Sequence, residues 1–327
     1  MAAMSTVPAV SVVVPTYQRR ALLGRLVRAL EQQEDAPPFE VVIVDDASTD
    51  GTIDEVERLR AASTVPVVGI RLDENRGPAT ARNAGWQRAT APIIAFTDDD
   101  CAPQPGWLSA LGRALEHADV AQGRTVPDPD QLAHRNVFSH TVLNEEEWGF
   151  YETCNIAYRR RVLEELGGFD ERFRYPFGED TDLAWRAKAA GARVSFDKQA
   201  VVHHDVHRHS YVEHLLDLRR REGVVRAIKR NPEMRRLCRY GIFWRPSHPS
   251  ALWAAAGLAT VASARRRPMR ALAGVVMCAP YLRYRTHTYP TGLARNRPVT
   301  VPMLLLSDLA EMAVLAAASA RYRTVVL

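Results

Sequence analysis

The chain has 327 residues, 46% of them hydrophobic and 25% charged, with a net charge of +5. That composition excludes wholesale disorder, and the length allows one large domain with an appendage or two domains. The net charge conceals a split: residues 1–210 hold 23 Lys and Arg against 32 Asp and Glu, whereas residues 211–327 hold 20 against 6. Two regions with different partners are therefore expected, bounded at 8–210 and 211–327. The four cysteines (Cys101, Cys154, Cys238, Cys278) are scattered and form no CxxC pair. This argues against a zinc site or disulfide framework and fits a reducing, cytoplasmic compartment. No basic segment precedes Val12-Val13-Val14, and Pro15-Thr16-Tyr17 follows it at once, which predicts a strand and loop, not a signal peptide.

In chain order, Val10–Val14 predicts a strand stopped by Pro15, and Arg20–Gln33 carries Leu22, Leu23, Leu26, Val27 and Leu30 at helical spacing. Phe39–Val44 predicts a second strand ending in Asp45-Asp46. A turn over Ser48–Gly51 follows, then a helix to about Ala62 capped by Asp50 or Thr52. Val65–Leu72 predicts a third strand. The loop Asn75-Arg76-Gly77-Pro78 leads into a helix containing Arg82, Asn83 and Trp86. Pro92–Phe96 is an apolar run that ends in Thr97 and three carboxylates, Asp98-Asp99-Asp100. Alternating strands and helices predict a parallel α/β sheet with its strand-end loops on one rim.

Those loops carry Thr16-Tyr17, Asp45-Asp46, Arg76-Gly77 and Asp98–Asp100. Adjacent carboxylates repel unless a cation sits against them, and oxygen-rich clusters suit Mg²⁺ or Mn²⁺. Neither GxGxxG nor GxxxxGK[ST] is present. A nucleotide at this rim would therefore be held chiefly through a metal on the acids. A second acidic cluster, Gly178-Glu179-Asp180-Thr181-Asp182, precedes a predicted helix. There Asp180 suits an N-cap or a functional group on a loop, and Asp182 suits a helix start. Four histidines within His203–His209 lack zinc spacing, which leaves a polar loop or a weaker metal ligand as readings.

The successive segments VSVVVPTYQR, EVVIVDDASTDGT, NRGPATARNAG, FTDDDCAPQPGWL, CNIAYRR, GGFDE and GEDTDLAWR resemble, in order, the motifs of family 2 glycosyltransferases. The resemblance spans roughly residues 10–210. It implies an α/β GT-A fold, Rossmann-like, with a mostly parallel sheet flanked by helices. It implies an inverting, Mn²⁺- or Mg²⁺-dependent transfer from a UDP-, dTDP- or GDP-linked sugar. Carried over by position, it implies a nucleotide site of Pro15, Thr16, Tyr17, Arg19, Asp45, Ser48, Gly77, Arg82, Asn83, Asp98 and Asp99. Asp98 and Asp100 form the DxD pair, with Asp98, Asp100 and His204 as metal ligands and His203 as the second choice of histidine. Which of the three consecutive acids ligates stays open at this point. Asp180 is implied as the general base, because an attacking hydroxyl must lose its proton, and Glu179 is placed beside it to hold the acceptor or orient Asp180.

From Tyr211 onwards the pattern becomes helical and basic, with an amphipathic stretch through Leu215–Arg230. Apolar stretches follow over Ala251–Ala264, Ala271–Leu282 and Met303–Ala320, the last containing Asp308 and Glu311. The first two fall short of the ~20 residues that cross a bilayer. The third carries two acids, so all three predict helices that lie on or dip into the membrane interface at the inner face, with Arg265-Arg266-Arg267 and Arg270 contacting anionic lipid. The alternative is a soluble helical subdomain. Few aromatics are interleaved with the arginines, so no nucleic-acid partner is expected. A lipid-linked acceptor would account for the basic region. Two rivals to the transferase are a sugar nucleotidyltransferase, which needs a Gly-rich basic loop where Pro15–Arg19 stands, and a catalytically silent nucleotide-sugar-binding scaffold docked on membranes.

Overall fold

The computed structural model describes residues 7–173, 175–288 and 297–327. The chain divides into two compact units. The first runs to Ala133 and resumes over Thr141–Val206; the second comprises His134–His140 and His207–Leu327. The short 134–140 segment thus joins the second unit, so this division crosses the single boundary at residue 210 expected from the charge split.

The first unit is built on one eight-stranded sheet. Its strands are β1 (Val10–Thr16), β2 (Phe39–Asp45), β3 (Val67–Arg71), β4 (Ile93–Phe96), β5 (Cys101–Pro103), β6 (Val120–Pro127), β7 (Ile156–Arg159) and β8 (Val194–His204). Their spatial order is β3-β2-β1-β4-β7-β6-β8-β5. The first four strands in that order pair in parallel, as do β6 and β8, while β7 and β5 run against their neighbours. The mostly parallel sheet expected from the strand–helix alternation is therefore present, with two antiparallel insertions.

Helices α1 (Arg20–Glu31), α2 (Thr52–Ala62), α3 (Pro78–Arg88), α4 (Trp107–His117), α5 (Arg160–Leu166) and α6 (Glu179–Ala189) complete this unit. Because strand side chains alternate in direction, β1 serves both sheet faces. Val10, Val12 and Val14 join Leu23, Leu26, Val27 and Leu30 of α1 and Trp107, Leu108 and Leu111 of α4 in one buried core. On the opposite face, Val13 meets α3. An ideal Cβ on Gly85 would stand only 2.4 Å from Val13 Cγ1 and 3.1 Å from Val44 Cγ2, so α3 seats on β1 and β2 through a residue without a side chain.

Two element starts differ from the sequence expectation. The cap of α2 is Gly51, at φ +81°, while the Asp50 carboxylate accepts the Thr52 amide at 3.0 Å. Helix α6 begins at Glu179, one residue ahead of Asp180, because Gly178 takes φ +96° and turns the chain into the helix early. Glu179, Asp180 and Asp182 therefore all lie in its first turn, where the helix dipole favours negative charge.

The second unit is helical: α7 (Tyr211–Asp217), α8 (Glu222–Arg230), α9 (His248–Ser263), α10 (Pro268–Thr288) and α11 (Arg297–Tyr322). The stretch read as one amphipathic helix is interrupted by a 3-10 turn at Leu218–Arg221. The acids of α11 sit in the interior of this unit. Glu311 faces the guanidinium groups of Arg221 at 3.0 Å and Arg245 at 2.5 Å, which hold its carboxyl well below the usual carboxylate range. Asp308 accepts from Tyr281 at 2.8 Å and Ser247 at 3.2 Å and pairs with Arg285. Helix α11 is long and apolar enough to cross a membrane, yet both of its acids are buried and ion-paired within this unit.

Gly85→Ala is expected to cost about 1–3 kcal/mol, the usual penalty for overpacking a filled site. Denaturant unfolding checks it; an unchanged midpoint would show that α3 can lift from β1 without loss.

Candidate functional site

The carboxyl ends of β1, β2 and β4 deliver Thr16, Asp45 and the Asp98–Asp100 run to one rim of the sheet, where ligands of open α/β sheets bind. Thr16 Oγ1 donates to Asp99 Oδ2 at 2.7 Å, and Arg19 places its guanidinium 3.3 Å from Asp100 and 3.9 Å from Asp99. Pro15 is the penultimate residue of β1 and Tyr17 is exposed just beyond it. Ser48 Oγ accepts the Gln18 amide at 2.8 Å, so the loop after β2 braces the loop after β1. Asp45 is turned inward. Its oxygens accept the Ser48 amide at 3.0 Å and pair with Arg71 at 3.0 Å, which makes it the support of that loop.

Asp46 is a partner that the sequence reading left without a role. It accepts the backbone amides of Arg76 at 2.9 Å and Gly77 at 2.8 Å, and burial pushes its carboxyl upward. Gly77 adopts φ +88°, the left-handed region that glycine favours, and Pro78 then opens α3. Four residues into that helix, Arg82 is almost wholly buried. Its two terminal nitrogens donate to Asp98 Oδ1 and Glu179 Oε1, each at 2.9 Å. This side chain couples the acids after β4 to the acids opening α6. The adjacent Asn83 points elsewhere: it bonds the backbone of Phe169 in both directions at 2.9 Å, the indole of Trp86 at 3.0 Å and Glu171 at 2.9 Å. The structure thus sets Asn83 under the Gly168–Phe169 turn and leaves Arg82 alone of the pair on the acids.

The carboxylates are crowded. Burial and the charges of Asp100 and Asp98 push the Asp99 carboxyl up to about 7, against the pull of Arg19 and Thr16. Burial and Asp180 raise Glu179, offset by Arg82. Burial likewise raises Asp180, whose carboxylate accepts the Thr181 amide at 2.7 Å. A further acid belongs to this group. Glu152, pushed up to about 7 by burial with help from Asp180, accepts from Gln122 at 3.0 Å and Asn144 at 3.1 Å. Its only sequence signal is its place two residues ahead of Cys154.

The far edge of the sheet brings in a histidine. Antiparallel pairing of β5 with β8 sets Cys101 opposite His204, so Asp100 Oδ1 lies 3.6 Å from His204 Nε2. His204 is the last residue of its strand, not a loop residue beyond it. Its Nδ1 lies 2.8 Å from the carbonyl of Asp205, which only accepts, so Nδ1 carries a ring proton. Asp100, Cys101 and His204 present ligand atoms within 4.8 Å of one another. Burial holds the Cys101 thiol far above its ordinary value, so the effective donors are oxygen and nitrogen, which suit Mn²⁺.

Comparison with known proteins decides the family. Residues 11–167 match the family described as Glycosyl transferase family 2. The chain is 30% identical over 220 residues to a glucosyl-dolichyl phosphate glucuronosyltransferase of Haloferax volcanii, covering 60% of this chain and 68% of that protein. The chain belongs to glycosyltransferase family 2. As a family 2 glycosyltransferase it is also 31% identical over 237 residues to validoxylamine A glucosyltransferase of Streptomyces hygroscopicus subsp. limoneus, covering 61% of this chain and 52% of that protein. The chain spans about half the length of two of the curated relatives it matches, 52% of the Streptomyces transferase and 42% of a pre-mycofactocin glycosyltransferase of Mycobacterium tuberculosis. Its fold is GT-A. A mannosyltransferase from Pyrobaculum calidifontis, in complex with GDP-Man and Mn²⁺, superposes with a TM-score of 0.58 at 22% identity, over 96% of this chain and 88% of that one. Staphylococcus aureus TarS 1-349, in complex with UDP-GlcNAc, gives 0.51 at 22% identity over 68% and 72%.

The raised Asp99 carboxyl has a consequence for stability. A carboxyl with a folded-state pKa above its unfolded value costs stability as pH rises from about 4 through about 7. Without added metal, Asp99→Asn should therefore melt with the parent near pH 4 and above it near pH 8, by a few kcal/mol at most. Melting in chelator across that pH range checks it; parallel curves would remove the crowding argument.

Proposed function

We propose that this chain transfers a sugar from a nucleotide-diphospho-sugar to an acceptor hydroxyl in a single inverting displacement, with Asp180 as the general base. The observation that supports it most is Arg82. By binding Asp98 and Glu179 together it keeps a cation-binding acid set and a proton-accepting carboxylate on one site. Asp98 is near enough to Asp180 for its charge to raise that group's proton affinity.

In this reading Pro15, Thr16 and Tyr17 line the base pocket, with Ser48 and the inward Asp45 shaping its loop. Gly77, Arg82 and Arg19 border the ribose and diphosphate, and Asn83 fixes the neighbouring turn. Asp100 and His204, with Asp98 or Asp99, would hold a divalent cation, Mn²⁺ by the donor set. That cation supplies charge neutralisation for the departing nucleoside diphosphate, so no acid is needed on the leaving group. Asp180 takes the proton of the acceptor hydroxyl as its oxygen attacks the anomeric carbon from the face opposite the diphosphate. Partial burial raises its proton affinity toward the working pH, as a general base requires. Glu179 acts through Arg82.

The donors bound in the structural neighbours carry uridine and guanosine, and a UDP-, dTDP- or GDP-sugar is the donor proposed here. A lipid-linked acceptor at the inner membrane face suits the basic second unit, and the name of the Haloferax relative includes a dolichyl phosphate. The silent-scaffold alternative would dispense with these acids, and Asp98, Asp100 and Asp180 are all in place.

Asp180→Asn is expected to keep nucleotide binding and to lower transfer by ~10²–10⁴-fold, the usual worth of a positioned general base. Transfer at the parent rate would exclude Asp180 as the base. Asp100→Ala should abolish the Mn²⁺-dependent part of nucleotide affinity. A titration in which Mn²⁺ still tightens binding in that variant would move the metal site elsewhere.

A further inference from the structure

Helices α9 and α10 form an antiparallel hairpin closed by Ala264–Arg267, and its packing is inverted relative to a soluble helix pair. The seam is made of small residues. An ideal Cβ on Gly257 would stand 2.5 Å from the Gly274 carbonyl oxygen, and one on Gly274 would stand 2.6 Å from that of Gly257. Ala251 and Ala254 are buried alongside them. The large apolar side chains point outward: Trp253 is 59% exposed, Leu258 54%, Leu272 55%, Val275 58% and Val276 62%. A helix apolar on all sides is ordinarily buried, and here one narrow stripe of α9 is covered. Close approach through small residues, with large apolar groups turned outward, is how helices pack where lipid is the solvent.

The charge around this hairpin points the same way. From His248 to Thr288 the chain has six arginines and no Asp or Glu, and of the six Arg285 is paired with Asp308. Arg265, Arg266, Arg267 and Arg270 are exposed at the closed end of the hairpin. Helix α9, at 16 residues, is about 24 Å long, shorter than the ~30 Å of a hydrocarbon core, and entry by its closed end would carry four guanidinium groups inward.

We propose that the α9–α10 hairpin is a docking surface for anionic membranes and lies along the interface. Trp253, Leu258 and the α10 valines enter the acyl boundary, and Arg265–Arg267 with Arg270 stay among the lipid phosphates. This inference deepens the membrane-face reading above, and with it the idea of a lipid-linked acceptor, by naming the surface and the headgroup charge that it requires.

The test is flotation of the full chain with phosphatidylcholine vesicles, with and without phosphatidylglycerol. The chain should float with the anionic vesicles, less so as salt is raised, and stay behind with the neutral ones. Replacing Arg265, Arg266 and Arg267 by Gln should weaken anionic binding on the order of a hundredfold, given the usual worth of each basic residue at such a surface. Leu258→Ser with Val276→Ser, both exposed and so carrying little fold penalty, should abolish flotation without moving the melting temperature. A parent chain that never floats, or variants that float like it, overturns the proposal. So does a dimer in light scattering that the serine variant dissolves without any vesicle binding, because a second copy then covers the face. Mn²⁺-dependent nucleotide binding, measured on the same samples without vesicles, separates the two readings. Its loss with flotation intact strikes the transferase reading alone, and the reverse strikes docking alone.

Discussion

The site depends on one buried cation. Arg82 is enclosed by protein and sits between Asp98 and Glu179, with Asp180 also within reach of its charge. Two carboxylates from distant segments share one guanidinium. Removing it would leave both partly buried and unpaired, a loss on the order of 3–5 kcal/mol. The local architecture serves its placement. Gly77 and Pro78 start the helix at a left-handed turn, Arg82 follows one turn later, and Gly85 lets that turn sit against Val13. Asn83, one step around the helix, fastens the Gly168–Phe169 turn that leads toward α6. Consecutive residues of one short helix thus hold both flanks of the site in register.

Around that cation the acids remain in excess, and the excess is informative. Ion pairing alone would leave Asp99 and Glu152 at ordinary carboxylate values, yet both are pushed up to about 7 by burial and by their neighbours' charges. Such crowding is a cost in the protein alone, and in the function proposed above a divalent cation would offset it, because the negative charge is already placed and desolvated. The same contrast separates the two units. In the helical unit Glu311 is held below the carboxylate range by two arginines, as in a structural ion pair. Buried acids occur in both units, and the sign of the perturbation distinguishes a compensated one from a poised one.

What was legible in the sequence follows from the range of the interactions involved. The four leading strands, the helices between them and the acids at their ends are local: apolar runs, Gly-Pro punctuation and charges adjacent in the chain. The ordered motifs added the family and the GT-A fold. Contacts made across the chain were not legible. Nothing near Arg82 announces Glu179, and His204 was grouped with Asp100 through the family resemblance alone, since nothing near Asp100 itself announces that β5 will turn back and pair with β8. Glu152 was missed for the same reason, since its partners Gln122 and Asn144 come from separate segments and it carries no motif of its own. Asp45 and Asn83 show the converse. Residue type and position suit ligand contact, and the structure engages their polar atoms in holding loops.

The helical unit illustrates how identical composition divides into opposite roles. Each of α9, α10 and α11 contains a long apolar stretch. Charge placement separates them. Helix α11 carries two acids that arginines from neighbouring segments neutralise, and this fixes it inside the unit with Leu305 and Met312 against Tyr281 and Ala251. Helices α9 and α10 carry no acid, meet through glycine and alanine, and leave their bulk outside. Apolar side chains exposed singly need no explanation. An outward apolar face beside four exposed arginines, on two helices that carry no acid, has a surplus of both hydrophobicity and positive charge, and one surface that satisfies both at once is an anionic bilayer.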